Sequence, residues 1–401
     1  MNSSKCRYSN VKAIGMDVHY KFSRYSMRDA DGKVVYRGRL DHPGRKQLRE
    51  KLGQWPRGVP IVMEASFGHG WLADEMLALG LEPALANCFK VAKMREARGL
   101  AKNNKKDADS MSELPFESRP WWKVWLIESE MRDYRERLRY RSGLVAIQTQ
   151  TKNRIHAVFH RQGIFHEYSD LFGSRGREFL LELVKAGRTE EVALPAGAWE
   201  TLGSHIRLLD HVRGQLAQVA RRLRQVLTKT PAAKLLDTAP GIGLILAHTI
   251  LAEIGDIGRF PTHRQLASYS LLAPICDDSG EENASKKPLG RHLGHRGNVT
   301  LKWAFIEAAH GAVRHGGKWR AMWDWHTNGG QQDRNRGYIV VARELVRVVH
   351  AMLRKNEAYR EIPSARPGIK IRRRRGGSTR SVKSQSQHPM AGVREDSRTS
   401  L

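Results

Sequence analysis

Cysteine is scarce in this chain: Cys6, Cys88 and Cys276 are the only three, and none belongs to a CxxC pair. That excludes a disulfide framework and a zinc knuckle and suits a reducing compartment. No uninterrupted run approaches the ~20 apolar residues that a membrane span needs. The opening MNSSKCRYSNVK also lacks the apolar core of a signal peptide. A cytoplasmic protein with no membrane partner is expected. Gly311–Lys318 (GAVRHGGK) is a poor phosphate loop, with the wrong spacing and no Ser or Thr after the lysine. An ATP-driven mechanism is set aside on that ground.

Acid is the other shortage. Against 69 Lys+Arg stand 41 Asp+Glu, a formal net charge of +28 over 401 residues. Charge of that size repels itself and is best tolerated beside a polyanion, so nucleic acid is the first partner to consider, in a bacterial setting at the nucleoid. A hydrophobic content of 40% is enough to build cores in two or three domains.

Along the chain the pattern changes twice. Val11–Val18, Lys21–Arg28 and Lys33–Leu40 read as strands, the last two joined at an Asp31-Gly32 hairpin turn. Helical spacing at Arg45–Leu52 and Gly70–Leu79 alternates with apolar runs at Val59–Glu64 and Glu82–Asn87, and a basic helix follows. This is an α/β domain with a mixed sheet, expected over residues 1–118. Residues 119–230 read as helical. Ile206, Leu209, Val212, Leu216, Val219, Leu223 and Val226 follow one another at steps of three and four, a seam suited to a helical hairpin or coiled coil. Gly173–Arg177 (GSRGR) reads as a loop within it. Residues 231–325 form a mainly helical C-terminal domain around Pro240–Gly243, with Asp277–Gly297 as a polar loop. An amphipathic helix is expected over 326–362. Residues 363–401, with KIRRRR at Lys370–Arg375, form a basic tail that does not fold alone and adds affinity for polyanions.

In so basic a chain, the position of acids is informative. Asp17 ends the first strand and Glu64 ends an inner parallel strand, and the carboxyl ends of strands are where α/β sheets bind ligands. Alone, either acid serves equally as a solvent-facing strand end. As a pair their repulsion calls for a cation between them, Mg²⁺ or Mn²⁺, which prefer oxygen ligands. Asn104 and Asp107 lie three apart at the entry to a helix and share one face; capping accounts for Asn104 but leaves Asp107 open. His19 lies on the strand face of Asp17. Gly241 and Gly243 resemble a helix-hairpin-helix turn, where glycines let a phosphate approach and the next helix presents free N–H groups; an ordinary helix–helix turn has the same look. Lys286, Lys287, Arg291, His292, His295 and Arg296 are candidate phosphate clamps, or a solvated basic loop. Trp121, Trp122 and Trp125 either stack bases or pack at the start of the helical region.

These pieces together resemble the DEDD transposases of the insertion-sequence-110 family. The matching segments are AIGMDVH around Asp17, VMEAS around Glu64 and KNNKKDA around Asp107. In the C-terminal unit they are LLDTAPGIGLILAHTILAEIGDIGRFPTHRQLASYSLLAP, Ser279-Gly280 and GHRGNVTLKWAFIEAA, in family order. The resemblance implies a RuvC-like (ribonuclease H fold) domain with a metal centre at Asp17, Glu64, Asn104 and Asp107. The family motif has an acid where this chain has Asn104, and an amide ligates a metal without charge. It also implies that Ser279 attacks the DNA phosphodiester to give a phosphoserine intermediate, and that a noncoding bridge RNA pairs with donor and target DNA. A serine hydroxyl needs activation, for which the metal centre is the candidate. Strand exchange needs several active sites, so dimers pairing into a tetramer on DNA are expected. Two alternatives stand beside this transposase/recombinase. One is a RuvC-like, metal-dependent, structure-specific nuclease in which Ser279 is dispensable. The other is a degenerate, non-catalytic nucleic-acid-binding relative, for which Asn104 is the main support.

Overall fold

The computed structural model describes residues 8–66, 68–99, 104–189, 192–227, 230–274, 293–294 and 296–361, with backbone alone for 104–106, 226 and 227. The N-terminal part is a six-stranded sheet: β1 (Ala13–Val18), β2 (Phe22–Arg28), β3 (Val34–Asp41), β4 (Pro60–Glu64), β5 (Glu82–Ala86) and β6 (Lys123–Val124), in the spatial order β3-β2-β1-β4-β5-β6. β1, β4 and β5 are parallel neighbours, while β2, β3 and β6 run antiparallel to theirs. The strand expectations hold to within a residue or two. Apolar runs such as PIVME form β4 because both of its faces are covered. The Asp31-Gly32 turn forms as read: Gly32 is left-handed at φ 74°, and the Asp29 carboxylate accepts from the Asp31 and Lys33 N–H groups.

One face of the sheet is covered by α1 (Arg45–Leu52) and α2 (His69–Ala78), whose Leu48, Leu52, Leu72 and Met76 bury against Ile14, Met16, Ile61 and Met63. The other face carries α3 (Cys88–Ala97) and α4 (Asn104–Glu113), where Val91 and Met111 pack on Val62, Ala84 and Ala86. The sheet continues past residue 118, because β6 pairs with β5 and Trp122 is buried in this second layer. Trp122 is thus a packing residue.

Two long helices, α5 (Ser129–Gln162) and α7 (Ala196–Leu227), pack antiparallel: Leu138 meets Leu223 at one end, and Ile155 and Phe159 meet Leu202 and Ile206 at the other. The heptad-like seam of α7 supplies this contact through Ile206, Leu209, Val212 and Leu223, all buried. Residues 173–177 are not the loop expected. Gly173 is the extended N-cap of α6 (Ser174–Ala186), and Gly176 sits so tightly that a Cβ there would lie 2.5 Å from the Leu171 carbonyl oxygen. Glycine at that point permits close packing.

The C-terminal helices are α8 (Pro231–Asp237), α9 (Leu244–Ile254), α10 (His263–Tyr269), α11 (Val299–His315), α12 (Gly317–Thr327) and α13 (Arg334–Lys355). They enclose one core, in which Leu236, Ile250, Phe305, Trp319, Leu345 and Val349 are buried together. The helix expected as a separate unit over 326–362 therefore packs into the same core as α8–α12.

α5 is joined to that core by charge. Glu253, 1% exposed, accepts two 2.8 Å bonds from Arg139 and one of 2.7 Å from the Asn298 amide, with Arg135 3.6 Å away. Arg135 also donates to the Ala252 and Glu253 carbonyls at 2.5 and 2.8 Å. Burial works to raise the pKa of Glu253, but the bonds from Arg139 and Asn298 and the charge of Arg135 outweigh it and hold the carboxyl below its ordinary range.

Candidate active site

Asp17 and Glu64 become neighbours because β1 and β4 run parallel in register. Met16 pairs with Met63, so the next residue of each strand stands beside the other at the shared carboxyl end. Strands in a sheet lie about 4.8 Å apart. Both acids face α4. Asp17 follows Gly15 by two residues, and a Cβ on Gly15 would fall 2.2 Å from the Ala108 oxygen and the Ser112 nitrogen of that helix. Glu64 follows by two residues Val62, which packs on Met111. Gly15 thus lets α4 rest directly on β1.

The direction of α4 completes the arrangement. Arg28, paired with Ala13 at the start of β1, donates to Ser112 at 2.9 Å and to Glu113 at 2.7 Å at the helix end. The beginning of α4, with Asn104 and Asp107, is therefore directed toward the carboxyl end of β1, where Asp17 stands. Asp109 points elsewhere, into a bidentate pair with Arg37 at 2.9 and 3.0 Å on the β3 side.

Two observations bear on whether these residues suit a divalent cation. Asp17 and Glu64 supply hard oxygen donors on adjacent strand ends, which fits. Asp107 is buried, 7% exposed, and its carboxylate is ion-paired with Arg95 of α3, also 7% exposed. Among the described residues no three His, Cys, Asp or Glu side chains are grouped to hold a metal ion. His19 lies on Asp17, with Nε2 3.0 Å from Oδ2. Cys88, at the first turn of α3, has its thiol pKa raised by burial and by the nearby Glu64 charge, which keeps it protonated and poor as a nucleophile.

Beyond Glu64 the sheet faces the helical part across a cleft of about 730 Å³, lined by Ala65, Val124, Arg139, Ser142, Tyr269 and Gly297–Thr300. The chain approaches this cleft on both sides of the polar loop, since Pro274 and Leu293 form an antiparallel bridge and Tyr269 and Gly297 line the wall. Ser279, Lys286, Lys287, Arg291, His292 and His295 lie outside the described residues. Arg296 is described: its guanidinium stacks 3.3 Å over the exposed ring of Phe89 on α3.

The turn at Pro240–Gly243 divides the two glycines read as phosphate ligands. Gly241 is left-handed at φ 83°, and a Cβ there would lie 2.1 Å from the Ala308 oxygen and 2.4 Å from the Ala312 nitrogen of α11. Glycine there lets the turn pack directly on α11. Gly243, the extended N-cap of α9, has open space around it and keeps its approach. Trp125 packs edge-on against Gly255 and under the Arg259 guanidinium at 4.1 Å, again as structure.

Sequence reasoning passed over Gly15, Arg95 and the residues of the cleft. The helix of Arg95 reads only as basic, and no spacing marks which of its cations turns inward.

A mixed sheet of this order, with acids on adjacent parallel strand ends and a helix laid across them, is the plan of a ribonuclease H-like DEDD domain. Residues 14–163 match the DEDD transposase profile of IS110 elements, and residues 233–324 match the transposase IS116/IS110/IS902 family. Among curated relatives, the transposase for insertion sequence element IS1111A of Coxiella burnetii is 24% identical over 354 residues, covering 88% of this chain and 92% of that protein. A "Probable family 20 transposase" of Pseudomonas aeruginosa is 27% identical, covering 88% of this chain and 99% of its own. A pilin gene-inverting protein of Moraxella bovis is 27% identical over 184 residues, covering 44% of this chain and 54% of its own. The chain belongs to the IS110 family of transposases.

Proposed function

We propose that this chain cuts and rejoins DNA to move its own insertion sequence, using Ser279 as the nucleophile. The observation that carries this reading is the in-register placement of Asp17 and Glu64 under α4, in a chain that matches the family over residues 14–163 and 233–324. The Ser279 oxygen forms a bond to the scissile phosphorus while the bond to the leaving sugar oxygen breaks, that oxygen leaving with a proton. The hydroxyl of a second strand then attacks the phosphoserine, forms the new phosphodiester and returns the serine. Each step exchanges one P–O bond for another, so no nucleotide hydrolysis is required.

Asp17 and Glu64 are the residues that would hold a divalent cation, Mg²⁺ or Mn²⁺, and Asp107 and Asn104 would join them. Bound there, such an ion supplies Lewis-acid polarisation of a phosphate oxygen. For Asp107 to join, its ion pair with Arg95 has to open. His19 orients the Asp17 carboxylate. The cleft beyond Glu64 supports a route for the scissile strand, since Arg139 and the first turn of α11 offer N–H donors to phosphate there. Gly243 leaves the start of α9 open to a second phosphate. A noncoding RNA that pairs with donor and target DNA would leave the protein to read backbone and shape, and the +28 charge suits that load. Dimers, joined as a tetramer on DNA, would supply the several active sites required.

Ser279→Ala tests this reading with purified protein, element-end DNA and the flanking RNA. Loss of both strand exchange and the denaturation-resistant protein–DNA adduct is expected. Cleavage that continues unchanged would instead mark a water-using, RuvC-like nuclease.

One observation favours a second reading. Asn104 replaces a family acid and Arg95 already neutralises Asp107, as suits a copy that binds nucleic acid without cutting it. Metal-dependent recombination by the purified chain would exclude that reading.

A further inference from the structure

At the closed end of the α5–α7 hairpin lies a site that the transposase chemistry does not use. α5 stops at Gly163, and Ile164 and Leu171 turn inward into the hairpin core. Between them Phe165 is left 86% exposed. Beside it opens a cavity of about 390 Å³, lined by Phe165, His166, Glu167, Tyr168, Arg175 and Phe179. Its walls are ring faces: His166 and Tyr168 stack at 6.0 Å and 29°, and Tyr168 leans on Phe179 at 5.4 Å.

The surroundings are cationic. Arg154, His160 and Arg161 are exposed along the end of α5, and Lys152 sits 4.9 Å over the Phe172 ring. Burial and the charges of His166, His160 and Lys152 lower the pKa of His156, and burial with Arg154 and Arg161 lowers that of His205. The acids nearby are Glu167 at the rim, Asp170, whose carboxylate caps the Phe172 N–H at 2.9 Å, and Glu178 on the surface of α6; Asp210 is occupied by Arg177. A second copy docking tip to tip would bring like charge against like charge, whereas a polyanion would not.

Glu167 argues against a bare phosphate in the cavity and for the edge of a base. A carboxylate accepts from exocyclic amino groups, and a guanidinium such as Arg175 donates to ring nitrogens and carbonyl oxygens. Stacking on exposed rings, with cations following the backbone, is how single strands are held. We propose that this pocket takes an unpaired nucleobase of a single-stranded nucleic-acid segment. The base stacks on Phe165 and Tyr168, Glu167 and Arg175 hold its edge, and Arg154, His160 and Arg161 follow the flanking phosphates. The proposal rests on the reading that the chain handles nucleic acid, and not on the serine chemistry.

The test uses full-length protein and fluorescein-labelled oligo-dT, oligo-rU and a random duplex, read by anisotropy. Phe165→Ala is expected to weaken single-strand binding ~10-fold, with duplex binding unchanged and Phe165→Trp restoring affinity. A loss confined to oligo-rU assigns the site to RNA, one confined to oligo-dT assigns it to DNA, and an equal loss makes it a general single-strand site. Unchanged single-strand affinity in Phe165→Ala overturns the proposal. If light scattering then also shows a smaller oligomer, the tip is a self-association surface instead. Asp17→Asn serves as the control: full oligonucleotide affinity with no strand exchange separates failure of this pocket from failure of the catalytic reading.

Discussion

Arg95 and Asp107 show how much a single buried side chain decides here. Both are almost wholly removed from water, and their ion pair sets opposite charges together there. Arg95→Met leaves the Asp107 carboxylate without its cation, and a loss of about 3–5 kcal/mol is expected from urea unfolding midpoints. The double variant Arg95→Met with Asp107→Asn should recover much of that loss, since it removes the stranded charge. Asn104 offers the opposite experiment. Asn104→Asp adds a charged oxygen donor at the family position, and calorimetric titration with Mn²⁺ should show tighter binding than wild type. Unaltered Mn²⁺ binding would place that residue outside the cation's ligands.

At the scale of elements, two glycines let helices lie against their neighbours. Gly15 brings α4 onto β1, and Gly241 brings the α8–α9 turn onto α11. Gly15→Ala pushes α4 away from the strand that bears Asp17. A loss of roughly 1–3 kcal/mol is expected for such overpacking, with activity falling at temperatures where the fold still holds. Gly241→Ala meets a backbone oxygen and also strains a left-handed φ, so its thermal midpoint should fall further than that of Gly15→Ala. Gly243→Ala meets nothing within 4 Å. Its melting curve should match wild type while its DNA affinity drops, and a variant that keeps full affinity would remove the start of α9 from the nucleic-acid surface.

For the whole molecule, the Glu253 cluster is the joint between the long hairpin and the C-terminal core. Because the folded carboxyl titrates below its unfolded value, its contribution is complete above the unfolded pKa of about 4.3 and is lost as pH falls through the folded value. Wild type should therefore lose stability on acidification below that value. Glu253→Gln should melt lower at neutral pH, because the buried Arg135 then lacks its counter-charge, and show a flatter acid limb, because the carboxyl that titrates is gone. Truncation after Glu361 removes the KIRRRR segment. The shortened chain should bind random duplex more weakly and with a shallower dependence on log salt, because fewer counterions are released. An unchanged slope would show that the tail does not touch DNA.

Local pattern carried most of the elements and the identity of the acids. Alternating apolar runs specify β1 to β5, three- and four-residue steps specify α7 and α13, and Asp17 and Glu64 stand out because the chain has few acids at strand ends. The fold class was legible for the same reason, since periodicity is a property of neighbours in sequence. What pattern does not carry is the partner of each residue across space. GSRGR reads as a loop, yet packing of Gly176 on Leu171 makes it a helix start. Gly241 and Gly243 look alike in sequence, and only the position of α11 tells a packing glycine from an open one. Arg95 is one cation among many until the tertiary structure buries it against Asp107. A pair's worth depends on separation and on exclusion of water, and neither is set until distant segments meet.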